Sequence, residues 1–334
     1  MKRFRLMLAS AALAASMAAT AQAQQITLRF GHVVQPGHPI AMGAQKLAEL
    51  LAARSHGRIK LQELGGGSIG GEAQQLSAVQ GGVQDMTLPS ATIMGAVVKE
   101  FTLIDIPFSF GSGEQVDALL QGPFGQLLMS RLPDKGMIGL DFWETGFRHF
   151  TNSRKPIVNV EDLKGLKLRV IPNPLFIESF TALGTNPAPM PFPELYQALE
   201  SHAMDAQENP FSVVLTSKFY EVQKYLSVTN HVYTANPVVI SRKTWDKLAP
   251  ADQKLVKEAV QEAGAYQRKV SRDASAVARK DLESKMQVND VPAATVARMR
   301  ELTRPVGEKF AASYDPAVVK VYRAELEKVR ATVK

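Results

Sequence analysis

The sequence predicts an α/β fold made of two units of similar size, followed by a mainly helical C-terminal third. Two observations lead to this prediction. Apolar runs that are typical of strands alternate with helical patterns up to Leu88, and a second alternation of this kind starts at Ile138. Farther on, from Ala251 to about Met286, apolar residues recur at helical spacing. Alternating strands and helices are typical of a parallel or mixed sheet covered by helices.

The first unit opens with the strand ITLRFGH, in which Ile26, Leu28 and Phe30 alternate with polar neighbours. The glycine pair Gly81-Gly82 marks the end of a later helix, since glycine follows many helix termini. Taken in order, the pattern predicts a helix over 39–54, a strand over 58–64, a helix over 72–80, a strand over 83–88 and helices near 114–132.

The second unit continues without a flexible linker, so the chain is expected to cross between the two units several times. Its predicted elements are strands over 138–142, 165–170, 226–230 and 237–241, and helices over 174–183 and 193–201. The helical pattern over 251–286 is long for a globular protein, and it indicates either one helix spanning both units or two helices broken near Gly264. Further helices are predicted over 291–333.

The first 23 residues have the pattern of a secretory signal peptide. Lys2, Arg3 and Arg5 precede the apolar run 6–19, and the sequence Ala21-Gln22-Ala23 provides a small-x-small cleavage site before Gln24. The apolar run is shorter than the roughly 20 residues that a membrane span requires. We therefore expect an exported mature chain that functions in the periplasm.

Composition excludes several kinds of chemistry. The chain has no cysteine, which rules out disulfides, thiolate nucleophiles and thiolate metal sites. Its formal charge of +7 falls to 7 − 3 = +4 once the three basic residues before Gln24 are removed, and no basic cluster of the kind that binds nucleic acid is present. None of the six histidines forms an H-E-x-x-H motif, so we expect neither a metal nor another cofactor.

The stretch ELGGGSIGGE (63–72) matches two catalytic patterns at once. Its glycines fit the G-x-G-x-x-G dinucleotide fingerprint, and Ser68 fits the G-x-S-x-G nucleophile elbow. An elbow serine stands on a sharp strand-to-helix turn, whereas Ser68 would lie in the middle of a loop, and the acid that follows, Asp85, is poorly placed for a ribose. We interpret the stretch as a glycine-rich loop with several positive φ angles, and keep a secreted serine hydrolase as an alternative.

Two arginines are placed where they could bind an anion. Arg148 lies in GFRHFTN at the start of the second unit, and Arg169 lies on the strand GLKLRV. Leu166, Leu168 and Val170 share one face of that strand, so Arg169 projects from the other face. An arginine in that position is solvated, paired with an acid, or bound to a ligand.

The motifs around these arginines resemble a known family. KGLKLRVIPNP, FTALGTNPAPMPFPELYQAL, DAQENP and FYEVQKYLSVTNH are similar to segments of the extracytoplasmic solute receptors of TRAP (tripartite ATP-independent periplasmic) transporters. FGHVVQPGHP, GGSIGGE and GFRHFTN extend the resemblance upstream, so that it covers nearly the whole chain after the signal peptide. A receptor for an ABC-type permease would have a similar fold, but the long helix and the Arg169–Asn209 pattern favour the TRAP family.

The resemblance implies a periplasmic binding protein-like fold, in which two α/β lobes with crossing hinge strands and a long bracing helix close over a ligand cleft. Residues 24–145 and 235–274 would form lobe I, and residues 146–234 and 275–334 would form lobe II. Such a receptor catalyses nothing. It would act as a monomer that delivers a small organic acid to an integral-membrane TRAP permease.

The resemblance also implies the ligand-binding residues. Arg169 corresponds to the arginine that holds the ligand carboxylate, Arg148 to a second arginine near it, and Asn209 to the asparagine that completes the site. A guanidinium offers two parallel donors to the two carboxylate oxygens. Glu72 would face the cleft, unless it only begins a helix, where the helix dipole favours an acid. The remaining candidates for contact with the ligand are Asn173, Phe192, His32 and Asn236.

One departure from the family bears on the ligand. Relatives that bind C4-dicarboxylates often have TPKG after the first strand, whereas this chain has GHPIAMG, with Ala41 in place of the lysine. If that lysine binds the second carboxylate, this receptor lacks it. We therefore expect a monocarboxylate, hydroxylated or a sugar acid, with a C4-dicarboxylate as the alternative.

Overall fold

The computed structural model describes residues 25–333. The predicted signal peptide and its cleavage site before Gln24 lie outside the described residues. Between residues 25 and 333, no helix combines the length and apolar character needed to cross a membrane.

Two mixed sheets form the framework of the described chain. The strands are β1 (Ile26–Gly31), β2 (Ile59–Leu64), β3 (Met86–Thr87), β4 (Met137–Phe147), β5 (His149–Asn152), β6 (Lys167–Val170), β7 (Asn186–Pro189), β8 (Ala206–Asn209), β9 (Tyr225–Val228), β10 (Tyr233–Ser241) and β11 (Gln287–Asp290). The first sheet has the order β2-β1-β3-β10-β4, and the second has the order β11-β9-β5-β8-β6-β7. In the first sheet β1 is parallel to β2 and β3, while β10 is antiparallel to β3 and β4.

Helices surround both sheets. They are α1 (Pro39–Arg54), α2 (Glu72–Gly81), α3 (Ala91–Met94), α4 (Gly113–Gln121), α5 (Pro123–Ser130), α6 (Pro174–Ala182), α7 (Leu195–Glu200), α8 (Phe211–Thr216), α9 (Arg242–Trp245), α10 (Pro250–Glu283), α11 (Ala293–Ala312) and α12 (Pro316–Thr332). Short 3₁₀ segments lie at Lys99–Asp105, Pro133–Lys135, Val160–Leu163, Phe192–Glu194 and Phe219–Glu221.

The two-lobed α/β prediction is confirmed, with differences in detail. Helix α1 begins and ends at the predicted residues, and α10 is one unbroken helix of 34 residues, so the alternative of a break near Gly264 is wrong. The predicted strand over 83–88 is reduced to the two residues of β3. Four short strands were not predicted, namely β5, β7, β8 and β11.

The chain passes between the sheets at two adjacent places. Arg148 alone separates β4 of the first sheet from β5 of the second, and residues 229–232 connect β9 of the second sheet to β10 of the first. The two crossings are hydrogen-bonded, since the amide of Arg148 donates to the carbonyl of Val232 at 2.9 Å and the amide of His231 donates to the carbonyl of Arg148 at 3.3 Å. These segments, which we call the hinge, therefore place Arg148 between the lobes.

Helix α10 is a third connection between the lobes. Its N-terminal half buries Val256 and Val260 in the core of the first sheet, where α10 packs against α1. Its C-terminal end buries Ala278 and Leu282 in a separate core beside α8. One continuous helix thus contributes to the hydrophobic cores of both lobes.

Residues 275–334, which were expected to belong to lobe II, pack against two different parts of the chain. Helix α11 packs against α6 of the second lobe, but α12 packs against α4 and α5, which cover the first sheet. The apolar face of α12 holds the helix against α4 and α5. The ring of Tyr322 on α12 lies 5.1 Å from the ring of Phe124 on α5, and both residues are buried. We propose that 316–332 belong to lobe I and that the other expected boundaries stand.

Gly264 allows α10 to lie close to β4. A Cβ atom at this position would lie 2.0 Å from Oδ2 of Asp141 and 2.8 Å from Nε1 of Trp143. Helix propensity alone would make alanine about 1 kcal/mol more favourable than glycine here. We expect Gly264→Ala instead to lower the free energy of unfolding by about 1–3 kcal/mol, because the overlap must be relieved by moving the helix or the strand.

Urea unfolding of the two proteins measures this effect. Gln261→Ala on the exposed side of the same helix serves as the control and should stay within about 0.5 kcal/mol of the wild type. An increase in stability in Gly264→Ala would show that the close approach of α10 to β4 is not needed for the fold.

Candidate functional site

A cavity of about 270 Å³ lies between the two lobes. The first lobe contributes the turn after β1, the glycine loop (residues 65–71) with the start of α2, and β10. The second lobe contributes the hinge, β6, the end of β8 and the segment after β7. The polar and charged residues that line it are His32, Glu72, Gln74, Ser90, Thr145, Arg148, Arg169, Glu194, Asn209, Thr234 and Asn236.

The structure brings seven of the eight candidate residues to this cavity, namely Arg169, Arg148, Asn209, Glu72, Phe192, His32 and Asn236. The exception is Asn173. Its side-chain nitrogen donates to the carbonyl of Thr92 at 2.9 Å, and its side-chain oxygen caps α6 by accepting from the amide of Leu175 at 2.8 Å. Asn173 therefore forms a contact between the lobes and does not line the cavity.

Arg169 is a buried cation whose partner is a neutral carbonyl group. Its guanidinium donates to the carbonyl of Met190 from Nε at 2.9 Å and from Nη2 at 2.7 Å, and it lies 5.9 Å from the centre of the Phe192 ring. No carboxylate of residues 25–333 lies within 4 Å of it. Burial and then the charge of Arg148 lower the pKa of Arg169 to about 10, so the group remains protonated at neutral pH. An anion in the cavity would compensate this charge.

Arg148 is also buried, but it has an acidic partner. Its Nε and Nη2 donate to the two carboxylate oxygens of Glu208, and its Nη1 donates to the hydroxyl of Thr234 at 3.0 Å. Burial opposes the ionised form of Glu208, yet Arg148 and a hydrogen bond from His231 keep the pKa of Glu208 below its usual value. The pair is thus ionised, and Glu208 neutralises most of the charge of Arg148.

His231 completes this network at the hinge. Burial lowers the pKa of His231, so its ring is neutral at pH 7. Its Nε2 lies 3.1 Å from Oε2 of Glu208 and its Nδ1 lies 2.7 Å from the hydroxyl of Thr229, which fits donation to the acid and acceptance from the hydroxyl. The ring also stacks on Phe150 at 4.6 Å. His231 is therefore a structural residue of the hinge.

Sequence analysis did not identify Glu208, although it stands next to Asn209. Along β8, Gln207 and Asn209 point to one face and Glu208 to the other. Asn209 reaches the cavity and donates to the side-chain oxygen of Gln207 at 2.5 Å. Glu208 lies behind the cavity wall, where it meets Arg148. The only sequence signal for Glu208 was its position inside the DAQENP motif, directly before Asn209.

The first-lobe wall carries a carboxylate held by a serine. Glu72 is the first residue of α2, and its Oε2 accepts from the hydroxyl of Ser90 at 2.7 Å and from the Ser90 amide at 3.3 Å. Burial raises the pKa of Glu72 despite these bonds and the nearby arginines. Both predicted roles therefore coincide, because the helix-starting acid also lines the cavity.

Two further polar groups of this wall are held in place by neighbours. Nε2 of His32 lies 2.9 Å from Oε1 of Glu63, and His32 is almost completely buried. The side-chain oxygen of Asn236 accepts from the hydroxyl of Thr145 at 2.6 Å. These fixed orientations give the wall a defined set of hydrogen-bonding groups.

The glycine loop has the conformation expected from its composition. Gly66, Gly67 and Gly70 have φ angles of 65°, 71° and 103°, which side chains disfavour. Ser68 is exposed on this loop, and its hydroxyl has no hydrogen bond to any histidine of residues 25–333. In the same range, no group of three histidine, aspartate or glutamate residues could hold a metal ion.

The fold and the cavity define a two-lobed binding protein whose cleft accepts a small molecule. Comparison with known proteins agrees, since residues 30–313 match the family described as bacterial extracellular solute-binding protein, family 7. The chain belongs to this family of TRAP solute receptors. Its members are periplasmic transport receptors for small organic acids and not enzymes, so the serine hydrolase alternative is wrong.

Three similar proteins illustrate the relationship. The 2,3-diketo-L-gulonate-binding periplasmic protein of Escherichia coli is 39% identical over 78% of this chain and 79% of its own. A TRAP solute-binding protein from Ochrobactrum anthropi, whose crystal structure has its C-terminus in the ligand pocket, is 43% identical, with a TM-score of 0.82 over 92% of this chain and 97% of its own. The sugar acid-binding protein of Advenella mimigardefordensis, in complex with galactonate, is 36% identical, with a TM-score of 0.89 over 92% and 99%.

Asp105 is a fully buried carboxyl group close enough to Arg148, Glu208 and Glu72 for their charges to act on its pKa. Neither of its oxygens makes a hydrogen bond of good geometry within residues 25–333, although the Thr92 side chain is close enough to lower its pKa. Burial is the largest influence and raises the pKa of Asp105 to about 8. Asp105 is therefore mostly protonated in the folded protein at neutral pH.

This pKa predicts how stability depends on pH. Between about pH 4 and pH 8 the folded chain keeps the Asp105 proton and the unfolded chain loses it, so rising pH favours unfolding. Asp105→Asn removes this titration. We expect the free energy of unfolding of Asp105→Asn, relative to the wild type, to increase from pH 5 to pH 8 by up to about 1.4 kcal/mol per pH unit.

Urea unfolding at pH 5, 6.5 and 8 tests the dependence. Asp281→Asn, at an exposed position on α10, is the control and should run parallel to the wild type at all three values. Parallel curves for Asp105→Asn would contradict the raised pKa.

Proposed function

We propose that this protein captures a hydroxylated monocarboxylate or a sugar acid by closing its lobes and delivers it to a TRAP permease in the membrane. The observation that carries the proposal is Arg169, a buried cation in the cavity with no carboxylate within 4 Å among residues 25–333. Nη1 and the second N–H of Nη2 make no hydrogen bond within residues 25–333, and they suit a carboxylate, which would supply the missing negative charge.

The charges around the cavity support a ligand with one carboxylate. Arg148 and Glu208 compensate each other, which leaves Arg169 as the cation to be balanced. Arg148 and Arg169 are the only lysine or arginine residues among the described residues of the lining. Glu72 and Glu194 also line it, and both act on the pKa of Arg169. A second ligand carboxylate would meet these acids without a cation of its own, which disfavours the C4-dicarboxylate alternative.

In this proposal the carboxylate lies against Arg169, with Arg148 and Asn209 completing the subsite. Phe192 supports the guanidinium of Arg169 through its ring. Glu72, His32 and Asn236 of the first-lobe wall would bind hydroxyl groups, because their orientations are already held by neighbouring side chains. Asn173 takes no direct part, because it does not line the cavity.

The ligands of the relatives support the same class of compound. Galactonate and 2,3-diketo-L-gulonate, which appear in the names of two of them, are sugar acids with one carboxylate and several oxygen functions. We expect the receptor to act as a monomer, since each of the two lobes contributes to the cavity within one chain.

Removal of the guanidinium tests the proposal. Galactonate at 100 times its dissociation constant should stabilise the chain from Gln24 to Lys334 by about 2.7 kcal/mol, and succinate and galactose should stabilise it less. Arg169→Ala should weaken galactonate binding at least a hundredfold, about 2.7 kcal/mol, because the buried carboxylate loses its charged partner. Thermal shift and titration calorimetry measure both effects.

Lys167→Ala is a matched control, since Lys167 lies on the same strand and carries the same charge but is exposed. It should bind galactonate like the wild type. Equal binding by Arg169→Ala would refute the carboxylate site, and stabilisation by succinate above galactonate would favour the dicarboxylate alternative.

A further inference from the structure

A proline-rich segment of the second lobe faces the glycine loop of the first lobe across the cavity. This segment, which we call the proline strap, comprises residues 189–193 with the sequence PMPFP. Proline fixes φ near −65° and restricts the residue before it, so the strap is stiff although only its first residue, Pro189, belongs to β7. Both segments line the cavity, the strap through Pro191–Pro193 and the loop through Gly70 and Gly71.

The glycine loop approaches the strap so closely that little room remains for a side chain. A Cβ atom at Gly67 would lie 2.9 Å from Cγ of Pro193, and one at Gly71 would lie 3.5 Å from Cβ of Pro191. A Cβ at the neighbouring Gly66 would meet only Gln35 of its own lobe, at 3.5 Å or more. Gly67 is therefore the position of this loop where a side chain would collide with the opposite lobe.

The strap is also held by the residue proposed to bind the carboxylate. Both hydrogen bonds of the Arg169 guanidinium go to the carbonyl of Met190, the second residue of the strap, and Phe192 of the strap faces the same guanidinium. The chain of contacts thus runs from Arg169 through Met190 to Pro193 and then to Gly67.

We propose that the proline strap and the glycine loop form a latch that closes the ligand cavity, and that Arg169 positions the strap for closure when it binds the carboxylate. The inference rests on the proposed function, since Arg169 must hold a ligand. In this arrangement Gly67 is a positioning residue. Its missing side chain lets the lobes meet, and it does not touch the ligand itself.

Gly67→Ala, compared with Gly66→Ala, tests the latch. The two glycines have similar φ angles, 71° and 65°, so alanine strains the backbone equally in both variants. Only Gly67→Ala also collides with Pro193. We expect Gly67→Ala to release galactonate about tenfold faster than Gly66→Ala and to bind it about tenfold more weakly, a difference of about 1.4 kcal/mol. Stopped-flow fluorescence and calorimetry measure these quantities, and thermal unfolding verifies that both variants are folded.

The double variant Gly67→Ala/Pro193→Ala completes a mutant cycle. Removal of the proline ring should relieve the collision. In the Pro193→Ala background, Gly67→Ala should therefore increase the rate of galactonate release at least threefold less than it does in the wild type. An unchanged effect would mean that the alanine acts within its own loop, and the latch would be disproved.

The outcomes separate the latch from the proposed function. If the wild type binds galactonate and Gly67→Ala behaves like Gly66→Ala, the latch fails while the sugar-acid proposal stands. If the wild type binds neither galactonate nor succinate, or Arg169→Ala binds galactonate equally well, the carboxylate site fails and the latch with it.

Discussion

The buried ion pair between Arg148 and Glu208 is the interaction on which the joint between the lobes depends. Arg148 is the single residue between β4 and β5, and its backbone bonds to Val232 on the other crossing. Its side chain meets Glu208 of β8 and Thr234 of β10. Loss of one partner would leave a buried charge uncompensated, a cost of about 3–5 kcal/mol. The pair therefore specifies how both sheets meet at the hinge.

The two arginines of the cavity differ because only Arg148 forms an ion pair with a carboxylate. Arg148 is balanced by Glu208 before any ligand arrives, whereas Arg169 is buried against the carbonyl of Met190. The pKa of Arg169 is lowered chiefly because burial disfavours its charged form. In the proposed function, a ligand carboxylate at Arg169 would offset a cost already present in the fold, which is how a preorganised site gains affinity from one charge. The balanced pair at the hinge contributes mainly orientation.

Much of the fold could be predicted from sequence because long elements have a periodic apolar pattern. Helices α1 and α10 are examples. The short strands β5 and β8 could not, because their sequences HFTN and AQEN are polar although fully buried. Their burial depends on partners far along the chain, such as Arg148 and Glu208, 60 residues apart. Arg169 could be identified from its sequence motif alone. The role of Glu208 could not, because it depends on the contact with Arg148, which only the three-dimensional structure reveals.

The distribution of polar groups explains how one fold can bind different acids. Arg169, Arg148 and Asn209 lie on the hinge or the second lobe, while Glu72 and His32 lie on the first. The second-lobe groups suit the carboxylate that organic acids share. In the proposed function, the first-lobe groups Glu72 and His32 would meet the remainder of the ligand. If the lobes close over the ligand as proposed, a ligand that satisfies Arg169 but not the opposite wall would bind without stabilising the closed state. In the proposed function, closure rather than carboxylate capture alone would then determine which acids are retained.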